Sequence, residues 1–134
     1  MTNRISVLIL FYFLMIQCPA WAITEAQAVH ALMGEARGES FACKLATAEA
    51  LRRRGTLSGV YGVNVSLEAL NKEKQAVWDE CLKAWRQSAD SNLVPGCEYW
   101  FSYADIKKLK AKPPRWFKRL KFVKTIGGHH FYAD

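Results

Sequence analysis

Gly34-Glu35-Ala36-Arg37-Gly38-Glu39 is a knot of charge and glycine set between two stretches of helical pattern. Before it, Thr24 to Met33 reads as an amphipathic helix, with Thr24 as N-cap and Gln27 three residues on completing a capping box. After it, Ser40 caps a second helix whose apolar positions, Phe41, Leu45, Ala48 and Leu51, recur at helical spacing until Gly55. Glu35 therefore falls at the tail of a helix, where the macrodipole favours cations and a carboxylate is poorly placed for stability. A residue that works against the fold at that position is a functional candidate. The glycines on either side, Gly34 and Gly38, are expected to let the backbone turn tightly and approach a partner closely. Arg37 has two readings, of which holding the turn by bonding carbonyls at the end of the first helix is favoured over contact with a substrate.

Outward from the knot, the N-terminus reads as a secretory signal. Arg4 precedes an apolar run from Ile5 to Ile16, and Ala20-Trp21-Ala22 supplies a small-x-small cleavage site. The run is short for a membrane span, which needs about 20 apolar residues, so cleavage is favoured over retention as a weak N-terminal anchor, and membrane contact is expected only transiently through this segment. Cleavage after Ala22 leaves residues 23–134, enough for one compact domain. The formal charge of the whole chain is +7, and the surplus is concentrated. Between Ile106 and Ala133 there is no Asp or Glu, while nine Lys and Arg residues run from Lys107 to Lys124. Such a stripe suits an anionic polymer, and export argues against nucleic acid as that polymer.

Cys18 leaves with the signal, so Cys43, Cys81 and Cys97 remain, an odd number that allows one internal disulfide at most. Cys81–Cys97 is the favoured pair, pinning one helix to the start of the next element. These cysteines with His129 and His130 lack Cys-x-x-Cys spacing, so neither a metal site nor any other cofactor is expected.

Residues 56–66 are a glycine-punctuated loop, and a third helix is expected from about Leu67 to Ala89. Its inward stripe is Lys74, Val77, Trp78, Cys81, Leu82 and Trp85, and the two tryptophans are read as core. Beyond Asn92 the period changes to alternation. Cys97 to Tyr103 reads as a strand with Tyr99, Phe101 and Tyr103 on one face and Trp100 and Ser102 on the other. Arg119–Ile126 and His129–Tyr132 form a hairpin through Gly127-Gly128, which places His129 and His130 on opposite faces. The fold class is α+β: helices first, then a small antiparallel sheet near the C-terminus, in one domain.

Four blocks in order carry a family likeness: the GEARGES run (residues 34–40), the Ala-rich helix ending Leu51-Arg52-Arg53-Arg54-Gly55, Gly96-Cys97-Glu98-Tyr99-Trp100, and the ending Ile126-Gly127-Gly128-His129-His130-Phe131-Tyr132. Together they resemble the SleB-type cell wall hydrolases over essentially the whole mature chain. The resemblance implies a lysozyme-like domain that cleaves the glycan strands of peptidoglycan, usually as a lytic transglycosylase. It also implies that the catalytic acid is the first Glu of the block, Glu35. The chain departs from the pattern at Arg53, where the family often carries Asn, and at Tyr99, where it often carries His. The lysine-rich stretch around Ala111 is particular to this chain.

Chemistry read from the residues points the same way. Glycoside cleavage needs a carboxylic acid that stays protonated near neutral pH, and both apolar burial and a helix C-terminus favour the protonated form. Glu35, following Leu32 and Met33, has both in prospect; Glu39, at the start of the next helix, does not. A second carboxylate of the kind most glycosidases use is not obvious, which favours transglycosylation over hydrolysis. Glu39, Tyr99, Trp100, His129 and Tyr132 are the candidate substrate contacts. The expected protein is an exported monomer of the bacterial periplasm or cell envelope, or one encoded by a phage, acting on peptidoglycan glycan strands. The rivals are an inactive peptidoglycan-binding adaptor, a two-carboxylate muramidase, and a basic membrane-active or nucleic-acid-binding protein.

Overall fold

The computed structural model describes residues 22–134. The signal segment expected over residues 1–22, with Cys18, lies outside the described residues apart from Ala22. These contain five α-helices and one three-stranded antiparallel sheet near the C-terminus, so the α+β expectation holds at that level. No helix among them is long and apolar enough to cross a membrane.

Helix α1 (Glu25–Ala36) opens on the expected capping box: the Thr24 hydroxyl accepts from the Gln27 N–H, and the Gln27 side chain accepts from the Thr24 N–H. It does not stop at Met33. It continues through Gly34 and Glu35 to Ala36, so Gly34 lies inside a regular helix and makes no turn. Its lack of a side chain serves contact instead. A Cβ there would collide with the Gly62 carbonyl oxygen, in the short 3-10 turn Tyr61–Asn64. Arg37 caps the helix as expected, donating to the Met33 carbonyl at 3.2 Å.

Helix α2 (Phe41–Arg54) is the centre of the molecule. Ser40 caps its start, and Gly55, at φ +70°, ends it in the left-handed conformation that favours glycine. Ala46, Ala48 and Ala50 are fully buried, and their small side chains let neighbouring elements approach from several sides. α2 packs against α1, against α4 (Gln75–Gln87) and against strand β1 (Cys97–Ser102).

The long third helix is divided. Leu67–Leu70 forms a short α3, the chain leaves helical geometry at Lys74 (ψ 146°), and α4 begins at Gln75. The break lets Leu70 turn fully into the core while α4 presents Cys81, Ala84 and Trp85 inward. The disulfide does not form: Cys43, Cys81 and Cys97 are three separate, buried free thiols. Cys81 lies beside the ion pair of the buried Lys44 with the exposed Glu80 (2.6 Å), whereas the Cys97 thiol donates to the Pro95 carbonyl at 3.7 Å. Burial pushes the thiols of Cys43 and Cys81 up to about 12 and about 11, which keeps them protonated and unreactive.

In the sheet, β3 (His129–Ala133) lies between β1 and β2 (Lys121–Ile126). The β2–β3 hairpin turns through Gly127-Gly128 as expected, with Gly127 at φ +58°. Strict alternation fails in β1. A bulge between Cys97 and Tyr99 resets the phase, so that Cys97 and Trp100 both face the core. Tyr103 does not continue the strand either. It starts helix α5 (Tyr103–Ala111), whose capping box pairs Ser102 with Asp105.

Two charged residues of α2, the buried Glu49 and the half-buried Arg53, fasten the approach to β1. The Glu49 carboxylate, 2% exposed, accepts from the Ser91 hydroxyl at 2.6 Å and from the N–H groups of Leu93 (3.0 Å) and Val94 (3.1 Å). Arg53 donates to the carbonyls of Val94 and Cys97 at 3.1 and 2.5 Å. Loss of a carboxylate that meets such donors costs about 1–3 kcal/mol per stranded group. Glu49→Ala is therefore expected to lower the unfolding free energy by about 2–5 kcal/mol in denaturant titration. A loss below about 1 kcal/mol would show that residues 91–97 hold their path without it.

Candidate functional site

Among the described residues, two concavities are candidates for a site. One, about 650 Å³, is a mainly apolar groove between α1, α4 and the 56–66 loop. Trp78, which the sequence placed in the core, is half-buried on its wall, and Trp85 alone of the two is buried. The polar groups of that groove have partners: Glu25 pairs with Arg86, and His30 Nε2 bonds the Val65 carbonyl at 2.8 Å.

The second, a cleft of about 600 Å³, combines a catalytic type of side chain with aromatic walls. Glu35 sits on it in the last turn of α1, half-buried and held at both oxygens. Its Oε1 accepts from the Gly62 N–H at 2.7 Å, and its Oε2 accepts from Trp100 Nε1 at 3.1 Å. Each bond follows from backbone geometry. Gly34 and Gly62 let the 61–64 turn lie directly on α1, and a Cβ on Gly62 would stand 2.7 Å from Glu35 Cγ. The β1 bulge rotates Trp100 inward to meet the other oxygen. The carboxyl group is thus fixed by two donors from two separate elements.

Around it stand groups that the motif reading did not single out. Tyr61, 80% exposed, and Trp116, 41% exposed, both line the cleft, Trp116 against Tyr99 (ring centroids 5.9 Å, 27°). Arg54 lies over the rings of Tyr99 and Trp100 at 5.3 and 5.8 Å. Helix α5 contributes Asp105 and Lys108. Asp105 Oδ2 accepts from the N–H and the hydroxyl of Ser102, at 3.1 and 2.8 Å. The Ser102-x-x-Asp105 capping box was the available signal for α5; nothing in the glycine-punctuated loop marked Tyr61.

Of the sequence candidates, Glu35, Tyr99 and Trp100 line this cleft. Glu39, His129 and Tyr132 stand elsewhere. The Glu39 carboxylate accepts from the Gly128 N–H at 3.1 Å and clasps the hairpin turn, where a Cβ on either glycine would come within 2.6 Å of it. Tyr132 packs among Phe101, Phe117 and Phe122. His129, 5% exposed, lies behind the site with Nδ1 3.2 Å from the Thr47 hydroxyl, which itself donates to the Cys43 carbonyl. His130 sits on the other face, 2.9 Å from the Thr125 hydroxyl. Among the described residues no group of His, Cys, Asp or Glu is arranged to hold a metal ion.

Compared with known protein families, curated proteins and solved structures, the chain gives no match.

Burial holds the His129 pKa below its ordinary 6.5, against the opposing pull of the Glu39, Glu35 and Asp105 carboxylates. The unfolded chain then binds more protons than the native state on the acid side, so the neutral-histidine contribution is complete above about 6.5 and is lost as pH falls below it. Thermal melts of the wild type are expected to decline from pH 7 to 5.5, and His129→Gln is expected to flatten that decline. An equal decline in both proteins would place the titrating group elsewhere.

Proposed function

We propose that this protein is an exported enzyme that cleaves the glycan strand of peptidoglycan, with Glu35 as its single catalytic acid and base and a lysozyme-like arrangement of the domain. The observation that carries the reading is the two-point fixation of the Glu35 carboxyl group in an aromatic-walled cleft. Sugar rings offer apolar faces to such walls, and a positioned carboxyl group is the reactive part of glycosidases. The likeness of the GEARGES block and the three later blocks to SleB-type hydrolases supports the same assignment.

In the proposed reaction Glu35 gives its proton to the bridging oxygen as the bond to C1 of the MurNAc residue breaks, and the GlcNAc side leaves as an alcohol. The resulting carboxylate then takes the proton of the MurNAc 6-hydroxyl as that oxygen bonds C1, forming a 1,6-anhydro ring. Water is not consumed, and Glu35 ends protonated as it began. General acid–base participation of this kind contributes about 10²–10⁴-fold to rate. The basic residues from Lys107 to Lys124 supply a screened attraction to the anionic wall, outside the chemical step.

A second reading, a two-carboxylate muramidase, rests on Asp105, which lines the same cleft as Glu35. Two substitutions separate the readings. Glu35→Gln keeps one acceptor for the Gly62 and Trp100 donors and is expected to reduce muropeptide release by about 10²–10⁴-fold while the protein remains folded by circular dichroism. Asp105→Asn preserves the helix cap and is expected to retain release within about tenfold, with anhydro ends unchanged. Turnover by Glu35→Gln near the wild-type level would remove Glu35 from the chemistry. Comparable losses in both variants, with reducing ends from the wild type, would select the two-carboxylate reading.

A further inference from the structure

The outer edge of the sheet is finished in a way that neither the core nor the cleft accounts for. Strand β2 is an edge strand, hydrogen-bonded to β3 on one side only, and every residue from Lys121 to Thr125 is exposed. Pairing sets Phe122 opposite Tyr132 and Lys124 opposite Phe131, and the register shift between them leaves Val123 with no residue opposite it. Phe122 is 58% exposed and Val123 40%, so two large apolar residues in succession are open to solvent. Phe122 is also the end of an aromatic ledge: its ring lies 5.6 Å from that of Tyr132, which lies 5.6 Å from that of the half-buried Phe117.

Lys118, Arg119, Lys121 and Lys124 flank Phe117 and Phe122 along the chain, and all four are exposed. None belongs to the three ion pairs among the described residues, which use Arg37, Lys44 and Arg86. The fold brings Asp134 toward this edge, next to the Ala133 that pairs with Lys121, and Glu39 to the hairpin turn, where it accepts from the Gly128 N–H. Four cations against these acids leave the edge positive.

The composition of the edge selects its occupant. Lysines on an edge strand keep other strands away, and they oppose a second copy here: pairing two β2 edges about Phe122-Val123 sets Lys121 against Lys124. An aqueous anionic polymer, the wall included, satisfies the cations and leaves the apolar pair in water. A surface that is anionic at its headgroups and apolar beneath satisfies both.

We infer that β2 docks on an anionic phospholipid bilayer, with Phe122 and Val123 entering the boundary between headgroups and acyl chains and Lys118, Arg119, Lys121 and Lys124 meeting the lipid phosphates. The contact is separate from that expected of the N-terminal apolar run. None of these six residues lines the cleft, so the docking does not depend on what the cleft cleaves.

Vesicles test it. The full chain is mixed at physiological salt with vesicles of phosphatidylcholine, alone or with phosphatidylglycerol added, and in parallel with lipid-free peptidoglycan. In Phe122→Trp, whose indole suits the interface, brominated lipid is expected to quench the added fluorescence on the anionic vesicles. Adding Lys121→Gln and Lys124→Gln is expected to remove that quenching, since each cation held near an anionic surface contributes about fivefold to binding. In cosedimentation, Phe122→Ser with Val123→Thr is expected to weaken the anionic vesicles about tenfold and to leave binding to peptidoglycan unchanged. Thermal melts accompany each variant, and the lysine substitutions, on exposed side chains, keep the test valid if the serine–threonine variant melts early. Absence of quenching at position 122, whatever the sedimentation, would overturn the docking and leave adhesion to the N-terminal run. Equal losses on vesicles and peptidoglycan would make the edge a wall contact and overturn it too. So would self-association without lipid, read by light scattering, that the serine–threonine variant abolishes, because the edge would then belong to a second copy.

Discussion

Everything at the cleft depends on the contact between two glycines. Gly34 inside α1 and Gly62 in the 61–64 turn meet backbone to backbone, with no room for a Cβ on either. Glycine in a helix interior is worth about 1 kcal/mol less than alanine to the helix itself. The packed arrangement offsets that local loss, because it delivers the Gly62 N–H to Glu35 Oε1. The same contact sets Tyr61 on the cleft lip. A residue that reads locally as a helix breaker is therefore what allows a loop to become the wall of a site.

The other half of the geometry comes through α2. Glu49 and Arg53 fix the path of residues 91–97 through bonds to its backbone, and that path enters β1. The bulge then turns Trp100 inward, where its indole N–H meets Glu35 Oε2. Glu39 serves the sheet at its far end by clasping the hairpin glycines. Glutamates of α1, α2 and the link between them that look alike in sequence thus divide their work. Glu35 faces the cleft, Glu49 secures a loop, and Glu39 secures a turn.

This division explains what the sequence could and could not reveal. Local signals were legible: the Thr24–Gln27 box, the Ser40 and Gly55 caps and the Gly127-Gly128 hairpin depend on neighbouring residues alone, and all are present. The break at Lys74, the β1 bulge and the extension of α1 through Gly34 depend on tertiary contacts, and periodicity cannot see those. Helix α5 had a local signal in Ser102-x-x-Asp105, overridden in the reading by the alternation before it and the lysines after it. Within the site, Glu35, Tyr99 and Trp100 were legible because motif and cleft coincide. Arg54, Tyr61, Asp105, Lys108 and Trp116 were not, since they converge only when α2, the 56–66 loop and the α5 excursion fold together. Cys81 and Cys97 show the limit of counting: cysteine spacing permits a bridge, and packing leaves two separate thiols.

The account stands or falls on the bond that is cut. Purified protein incubated with intact peptidoglycan, followed by mass spectrometry of the soluble products, reads that bond from its new ends. The account predicts glycan fragments ending in 1,6-anhydro muramic acid. Release of peptides without new glycan ends, or no release at all from a folded and wall-bound protein, would contradict it.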